Sequence, residues 1–167
     1  LGDIVSFAVS RVLPHHPDLN AHLLDGVIRR FSGVHLGMAV DTDRGLMVPT
    51  LFDADSMSLA AIAARSKELA AACRSGSVSP DALTGGTFTV TNLGTLGVEM
   101  FTPVINPPQT GILGVCSIVY RPRKGRDGAI EFYPAMGLSL TYDHRALDGS
   151  PASRFLRELC DVLEHFD

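Results

Sequence analysis

The sequence lacks the features of several common classes of protein. Its apolar runs are each interrupted by glycine, proline or a charged residue well before the length needed to cross a bilayer. It has 14 basic against 18 acidic residues and no long run of one sign, so an electrostatic footprint for nucleic acid is missing. The composition therefore predicts a soluble, mildly acidic, intracellular protein whose partners include neither nucleic acid nor a membrane.

Patterns typical of metal and nucleotide sites are missing too. The three cysteines are far apart and form no CxxC pair, which excludes a zinc knuckle and a disulfide framework. The six histidines include no pair four residues apart on a predicted helix, so no metal site is predicted. The glycine-rich stretch 92–98 is not a GxGxxG motif and lacks the P-loop lysine, so it does not predict a dinucleotide or nucleoside-triphosphate site. We expect the cysteines to be buried, reduced thiols.

The length and apolar content predict one domain. With 167 residues, 46% of them hydrophobic, the chain can bury one core and is too short for two full domains. The sequence begins on leucine inside an apolar helical pattern, so we expect that a further N-terminal part of the domain precedes it. Residues 1–167 are thus predicted to be one domain without its N-terminal part.

Three segments have helical patterns. The first stripe starts at Ile4 and should end near Leu13, because two prolines follow. A second helix is predicted up to residue 74, with Ser56 or Ser58 as its N-cap and Gly76 as its stop. A third is predicted near the C-terminus, with Ser150 at its N-cap and apolar residues on its inner face, namely Phe155, Leu159, Val162, Leu163 and Phe166.

Between the helices, short apolar or β-branched runs predict strands. Residues 34–40 and 46–51 flank an Asp- and Gly-containing turn and predict a β-hairpin. Residues 87–92 and 110–120 are two further strands, and the alternating run 136–142 is another. These elements together predict an α+β fold, a two-layer sandwich in which helices cover a mixed β-sheet.

Residues 143–149, with the sequence DHRALDG, are the most informative stretch. They place the imidazole of His144 four residues before the carboxylate of Asp148, between a predicted strand and a predicted helix. An imidazole titrates near neutral pH and is a common general base, although a single histidine at a strand end is more often structural. This stretch is therefore the first candidate for the site of chemistry.

Two other features have competing interpretations. The basic segment 121–128 suits a phosphate, but a solvated turn between strands is the commoner role of such a segment. Cys116 is a conceivable nucleophile, yet it lies in an apolar strand pattern in which an inert buried thiol is much commoner.

Five blocks of the sequence resemble the catalytic domain of dihydrolipoamide acyltransferases, the E2 components of 2-oxoacid dehydrogenase complexes. The blocks occur in order over nearly the whole chain, which makes the resemblance specific. They are Val40-Asp-Thr-Asp-Arg-Gly-Leu-Met-Val-Pro49, Gly85-Gly-Thr-Phe-Thr-Val-Thr-Asn-Leu-Gly94, Phe101-Thr-Pro-Val-Ile-Asn-Pro-Pro108, Ile112-Leu-Gly-Val115 and Asp143-His-Arg-Ala-Leu-Asp-Gly149.

The resemblance implies a fold similar to chloramphenicol acetyltransferase. It also implies a homotrimer with active sites at subunit interfaces, further assembly into a 24-mer or 60-mer core, and E1 and E3 components as partners. Coenzyme A would be a substrate, and the lipoyl group would be carried on a separate domain. The lipoyl and subunit-binding domains are absent from this sequence. The expected location is the bacterial cytoplasm, or the mitochondrial matrix in a eukaryote.

The reaction that the resemblance implies is acyl transfer between two thiols through a tetrahedral intermediate. His144 matches the family's base, which removes the proton from the attacking thiol and returns it to the departing sulfur. The family's serine hydroxyl, a donor to the negative oxygen, is matched by Thr91, which keeps the hydroxyl but adds a methyl group. An ordinary β-branched strand residue is the competing interpretation of Thr91.

Four other residues match family positions with supporting roles. Asp148 lies where the family has Asp or Asn, so orientation of the base is its expected role rather than proton transfer. Arg145 is expected either to hold a neighbouring carboxylate or to form a plain surface ion pair. Asp41 and Asn92 match positions along the coenzyme A channel, although a hairpin turn also explains Asp41.

Two alternatives to this enzyme remain at this stage. A catalytically silent core scaffold, as among relatives that bind the E3 partner, would have lost the base, whereas His144 is retained. A stand-alone acetyltransferase acting on an antibiotic hydroxyl would share the fold but not the blocks around Asn92 and Asn106. The resemblance favours an acetyl or branched-chain acyl group over succinyl.

Overall fold

The computed structural model describes residues 1–166. Within these residues, the chain forms three α-helices and nine strands, joined by several 3₁₀ turns. The helices are α1 (Gly2–Val12), α2 (Leu59–Ser75) and α3 (Gly149–Glu164). The strands are β1 (Ala21–Leu24), β2 (Val27–Arg30), β3 (Leu36–Met38), β4 (Val40–Thr42), β5 (Gly45–Met47), β6 (Thr50–Leu51), β7 (Phe88–Asn92), β8 (Gly111–Lys124) and β9 (Ile130–Tyr142).

Five of the strands form a mixed sheet in the order β6-β3-β7-β8-β9. Strands β3, β7 and β8 run parallel, whereas β6 and β9 run antiparallel to their neighbours. The carboxyl ends of β3, β7 and β8 therefore lie at one end of the sheet, and the carboxyl end of β9 lies at the other. Two small hairpins, β1–β2 and β4–β5, lie outside this sheet.

The helices bury one face of the sheet. Phe88, Val90, Leu113 and Val115 of the central strands join one core with apolar residues of all three helices, including Val9, Ile62 and Phe155. Helix α2 begins where the Ser58 hydroxyl accepts a hydrogen bond from Ala61 N–H, and it ends at Gly76, whose φ of 77° needs the freedom of glycine. This packing confirms the predicted α+β sandwich of helices on a mixed sheet.

The segment 93–109, which we call the strap, crosses the opposite face. Leu113 and Val115 point toward the helices, so Gly114 between them faces the strap. A Cβ atom on Gly114 would lie 2.7 Å from the Phe101 ring, so only glycine permits this approach. The Thr141 hydroxyl also donates a hydrogen bond to Pro103 O over 2.7 Å.

Strands β8 and β9 continue past the sheet as a two-stranded arm, residues 118–136. The arm begins after a register shift between Val115 and Ile118. Directly paired residues share a face, and one face of the arm is apolar except for Lys124 near its tip. This face carries Ile118, Tyr120, Pro122, Lys124, Ile130, Phe132, Pro134 and Met136. Tyr120 and Phe132 are 73% and 68% exposed. The other face is more polar and contains the Arg123–Glu131 ion pair.

Most predicted elements are found, with differences at their ends. The predicted hairpin 34–51 is split into the β3–β6 pair and the β4–β5 hairpin, and β8 extends four residues past the predicted end at Tyr120. The N-cap of α3 is Asp148 and not Ser150, which makes that prediction wrong by two residues.

Two side-chain features complete the fold. Cys73 and Cys116 are buried free thiols, as expected, whereas Cys160 is only half-buried. Burial raises the pKa of the Cys73 thiol and of the Cys160 thiol.

Among the described residues, no helix combines the length and the apolar character that crossing a membrane would require.

Candidate active site

His144 lies in a tight turn that connects β9 to α3. The carbonyl oxygen of Asp143 accepts hydrogen bonds from Ala146 N–H at 2.9 Å and Leu147 N–H at 3.3 Å. His144 and Arg145 are therefore the central residues of the turn. The His144 side chain is 69% exposed, so the turn presents the imidazole at the surface.

Asp143 and Arg145 form a two-point ion pair beside His144. Arg145 donates to Asp143 from Nε over 3.0 Å and from Nη2 over 2.7 Å, and its backbone N–H donates to Asp143 Oδ1 over 3.0 Å. These hydrogen bonds from Arg145 lower the pKa of the Asp143 carboxyl to about 2 and raise the pKa of the guanidinium. Arg145 thus holds a neighbouring carboxylate, and because its side chain is mostly exposed, the contact is also a surface ion pair.

Asp148 lies close to the imidazole. Its Oδ1 is 3.4 Å from His144 Nδ1, and the His144 ring is tilted against Tyr142 with a centroid distance of 5.6 Å. The Asp148 side chain caps no backbone N–H of α3, so it is available to His144. Among residues 1–166, none hydrogen-bonds His144 Nε2, and the His144 side chain is mostly exposed.

Contacts with Thr110 and with the histidines before β1 hold this turn and α3 on the body of the protein. Asp143 N–H donates to Thr110 O over 2.8 Å, and the fully buried Thr110 is bound in turn to the segment 18–21. His15 and His16 both contact the Glu158 carboxylate of α3, at 2.6 and 2.8 Å. The hydrogen bond from His15 contributes most to lowering the pKa of Glu158. These contacts were not predicted, because they join residues far apart in sequence.

Thr91 lies on β7 at the other end of the sheet. It pairs with Gly114, and alternation along β7 places its side chain on the strap face, opposite the buried Val90. The Thr91 side chain is half-buried, and within the described part of the chain its hydroxyl has no hydrogen-bond partner. The hydroxyl is therefore available to a ligand.

Asn92 and Asp41 lie at the same end of the sheet as Thr91. Asn92 Oδ1 accepts a hydrogen bond from Gly94 N–H over 2.9 Å, which turns the chain out of β7. A groove of about 390 Å³ opens beside Asn92 and is lined also by Gly94 and Cys116. Asp41 is exposed on β4, which follows β3 after one residue. The β4–β5 hairpin is held by Arg44, whose Nη2 donates to Cys73 O at the end of α2.

One chain does not bring the two groups of predicted residues together. Thr91 is level with Ser139 on β9, two strands away, and His144 lies five residues beyond Ser139. Strand geometry then separates Thr91 from His144 by roughly 15 Å along the sheet and about 10 Å across it. Asp41, Thr91 and Asn92 form the Thr91 end of the sheet, and His144 and Asp148 form the His144 end.

No cluster of three or more His, Cys, Asp or Glu side chains in the described range 1–166 has the arrangement of metal ligands. The imidazole and the hydroxyl that the structure exposes suit proton transfer and hydrogen bonding to an anion. These are the two operations that acyl transfer requires.

Comparisons with known sequences find acyltransferases. A family model described as the 2-oxoacid dehydrogenases acyltransferase catalytic domain matches residues 1–167. The acetyltransferase component of the pyruvate dehydrogenase complex of Mycobacterium bovis is 43% identical over 94% of this chain. The succinyltransferase component of the 2-oxoglutarate dehydrogenase complex of Escherichia coli is 41% identical over 94% of it. The chain spans only 30% and 38% of these two relatives.

Solved structures give the same fold. Dihydrolipoamide acetyltransferase of Azotobacter vinelandii has a TM-score of 0.92 and 36% identity, over 98% of this chain and 68% of that one. The cubic core of a pyruvate dehydrogenase multienzyme complex has a TM-score of 0.91 and 37% identity, over 96% of this chain and 67% of that one. A chloramphenicol acetyltransferase, 12% identical over 97% of this chain and 77% of that one, has a TM-score of 0.59 and shares the fold.

Proposed function

Because the chain belongs to the 2-oxoacid dehydrogenase acyltransferase family, we propose that it transfers an acyl group between coenzyme A and dihydrolipoamide. The observation that supports this most directly is the exposed His144, with Asp148 near Nδ1 and with no hydrogen bond to Nε2 from residues 1–166. In the A. vinelandii enzyme, a serine, a histidine and an asparagine were investigated for roles in catalysis. That asparagine follows the histidine by four residues, as Asp148 follows His144.

In the proposed reaction, His144 Nε2 takes the proton of the attacking thiol while the sulfur bonds to the thioester carbon. The carbonyl oxygen becomes negative, and the Thr91 hydroxyl donates a hydrogen bond to it. The intermediate then collapses, the bond to the first sulfur breaks, and the imidazolium returns the proton to that sulfur. Asp148 orients the imidazole through Nδ1. The same residues can catalyse the reaction in either direction, because the attacking group and the departing group are both thiols.

We propose that a second copy of the chain completes each site. His144 and Thr91 lie at opposite ends of the sheet, so His144 of one copy must meet Thr91 of its neighbour. The arm projects past the Thr91 end, because β8 continues beyond Gly114 in that direction. A neighbour that reached Thr91 would therefore lie along the arm, whose apolar face is exposed.

For the assembly, we propose a homotrimer that is built into a larger core, with E1 and E3 components as partners. One of the solved relatives is a cubic core of such a multienzyme complex. The groove beside Asn92, with Asp41 at the same end of the sheet, is the proposed approach for coenzyme A. The lipoyl group would arrive on a separate domain. The bacterial cytoplasm or the mitochondrial matrix stays the predicted location.

The acyl group is proposed to be acetyl or branched-chain rather than succinyl. The acetyltransferase and succinyltransferase relatives are nearly equal in identity to this chain, at 43% and 41%. A direct measurement must therefore rank the substrates.

The test is acyl transfer from acetyl-, isobutyryl- and succinyl-coenzyme A to free dihydrolipoamide. We expect a rate that His144→Ala lowers to a small residual and that the control His165→Ala leaves unchanged, because His165 is an exposed imidazole at the end of α3. Equal rates for the parent and His144→Ala, in a folded and assembled sample, would instead support a catalytically silent core scaffold.

A further inference from the structure

We infer that Asp143 is a positioning residue for His144 and that Arg145 acts through it. The inference rests on the proposed function, since it concerns how the base is held. Asp143 is the one residue whose backbone N–H, carbonyl oxygen and carboxylate all contact the turn or its support. The structure therefore assigns it a role that sequence analysis did not give to it.

The contacts of Asp143 fix the peptide groups on both sides of His144. On the N-terminal side, Asp143 O accepts the N–H of Ala146, and Asp143 N–H is tied one peptide earlier to the buried carbonyl of Thr110. On the C-terminal side, Asp143 Oδ1 accepts the N–H of Arg145. His144 therefore lies between two anchored peptide groups, although its own side chain is exposed.

Arg145 completes this arrangement by holding the carboxylate. Its Nε and Nη2 occupy the two oxygens of Asp143 in a fork, so the carboxylate cannot rotate away from the backbone N–H that it accepts. The same fork engages these two nitrogens with Asp143, so neither is free to contact an anionic substrate. Loss of Asp143 or of Arg145 should therefore loosen the base and leave substrate binding intact.

Steady-state kinetics of Asp143→Ala tests the inference. We expect kcat to fall about 10- to 100-fold, because a displacement of about 1 Å at a reacting group costs that much. KM for acyl-coenzyme A and for dihydrolipoamide should change less than about twofold, since this removes no substrate contact. Asp143→Asn keeps an oxygen for Arg145 N–H but loses the fork, so its kcat should fall as far as that of Arg145→Met and less far than that of Asp143→Ala.

A matched control is Arg65→Met, which breaks an exposed ion pair with Glu68 on α2, far from the turn. It should leave kcat and KM unchanged. Arg145→Met leaves the backbone contacts of Asp143 in place. If Asp143→Ala does not fold, Arg145→Met takes its place in the same assay, with kcat again expected to fall and KM to stay unchanged.

The second readout is the residual rate of His144→Ala. If a residue acts only through the imidazole, its removal has no further effect on the rate once the imidazole is gone. Adding Asp143→Ala to His144→Ala should therefore leave the residual rate unchanged. Equal losses in both backgrounds, a raised KM with kcat intact, or an unchanged kcat of Asp143→Ala would each overturn the inference. Full activity of His144→Ala alone would refute the proposed function instead.

Discussion

At the scale of single residues, the most informative substitution is at position 91. Thr91→Ala removes the hydroxyl that we place at the negative oxygen of the intermediate, and we expect kcat to fall about 10²- to 10³-fold. Thr91→Ser keeps the hydroxyl and should stay active. Acyl transfer to dihydrolipoamide measures both. Equal activity of Thr91→Ala and the parent would remove Thr91 from the mechanism.

The Asp143–Arg145 pair gives a prediction about pH. Because Arg145 lowers the pKa of Asp143 to about 2, the pair favours the folded state at any pH above the ordinary pKa of an aspartate, near 3.9. That contribution is lost as the pH falls from about 4 toward 2. The difference in melting temperature between the parent and Arg145→Met should thus be constant from pH 5 to 8.

Below pH 4, the same difference should shrink, because the carboxyl becomes protonated in both the folded and unfolded states of the parent. Thermal unfolding followed by circular dichroism at fixed protein concentration measures this. A difference that is as large at pH 2 as at pH 7 would show that the ion pair is not its source.

At the scale of secondary structure, α3 links the core to the turn that carries His144. Phe155 is fully buried, 5.8 Å from the ring of Phe88 and 5.4 Å from that of His16. Phe155→Ala should lower the free energy of unfolding by about 3 to 5 kcal/mol, since it removes a buried ring and leaves a cavity. Urea unfolding at a fixed protein concentration measures the loss.

The exposed Ser153 on the same helix is the control for Phe155. Ser153→Ala should change stability by about 0.5 kcal/mol or less, as surface substitutions generally do. A loss for Phe155→Ala as small as that of the control would mean that α3 does not depend on this contact.

The order of the elements was predictable from the sequence, because periodicity and cap residues are local signals. Ser58 and Gly76 marked the ends of α2 correctly. The β1–β2 hairpin was missed, although Asp25 and Gly26, with φ of 51° and 76°, form the Asp-Gly turn that favours hairpins. The N-cap of α3 was misplaced because Asp148 and Ser150 are both good cap residues, and tertiary packing selects between them.

The site was predictable only as separate residues. His144, Asp148 and Thr91 came from motifs, but the motifs carry no information on which end of the sheet each reaches. Strand direction decides this, and it depends on pairings between segments far apart in sequence. Asp143 was overlooked because its partners are mostly backbone atoms, which no residue pattern specifies.

At the scale of the whole molecule, separation of His144 from Thr91 predicts complementation between inactive chains. If each site combines two copies, co-assembly of His144→Ala and Thr91→Ala chains in equal amounts should make about a quarter of the sites intact. Each pure variant would stay nearly inactive. The expected result is a measurable recovery of activity on co-expression. The absence of any recovery would instead place both residues of each site in a single chain.

The arm gives a second prediction at this scale. Tyr120→Glu combined with Phe132→Glu places charge on the exposed apolar face and should dissociate the assembly into monomers, because unpaired charges are costly to bury. Sedimentation velocity measures this. Arg121→Glu on the opposite face is the control and should stay assembled; dissociation by the control alone would assign the contact to that face.

The two-copy site that we propose would also determine when the chemistry becomes available. In a newly made or dissociated chain, His144 and Thr91 lie too far apart to form one site, so such a chain would not discharge acyl-coenzyme A on its own. Activity would then rise more steeply than linearly with dilute protein concentration and become linear once assembly is complete. The fold would thereby protect the cell's pool of energy-rich thioesters from stray subunits, because only a finished particle has the means to consume them.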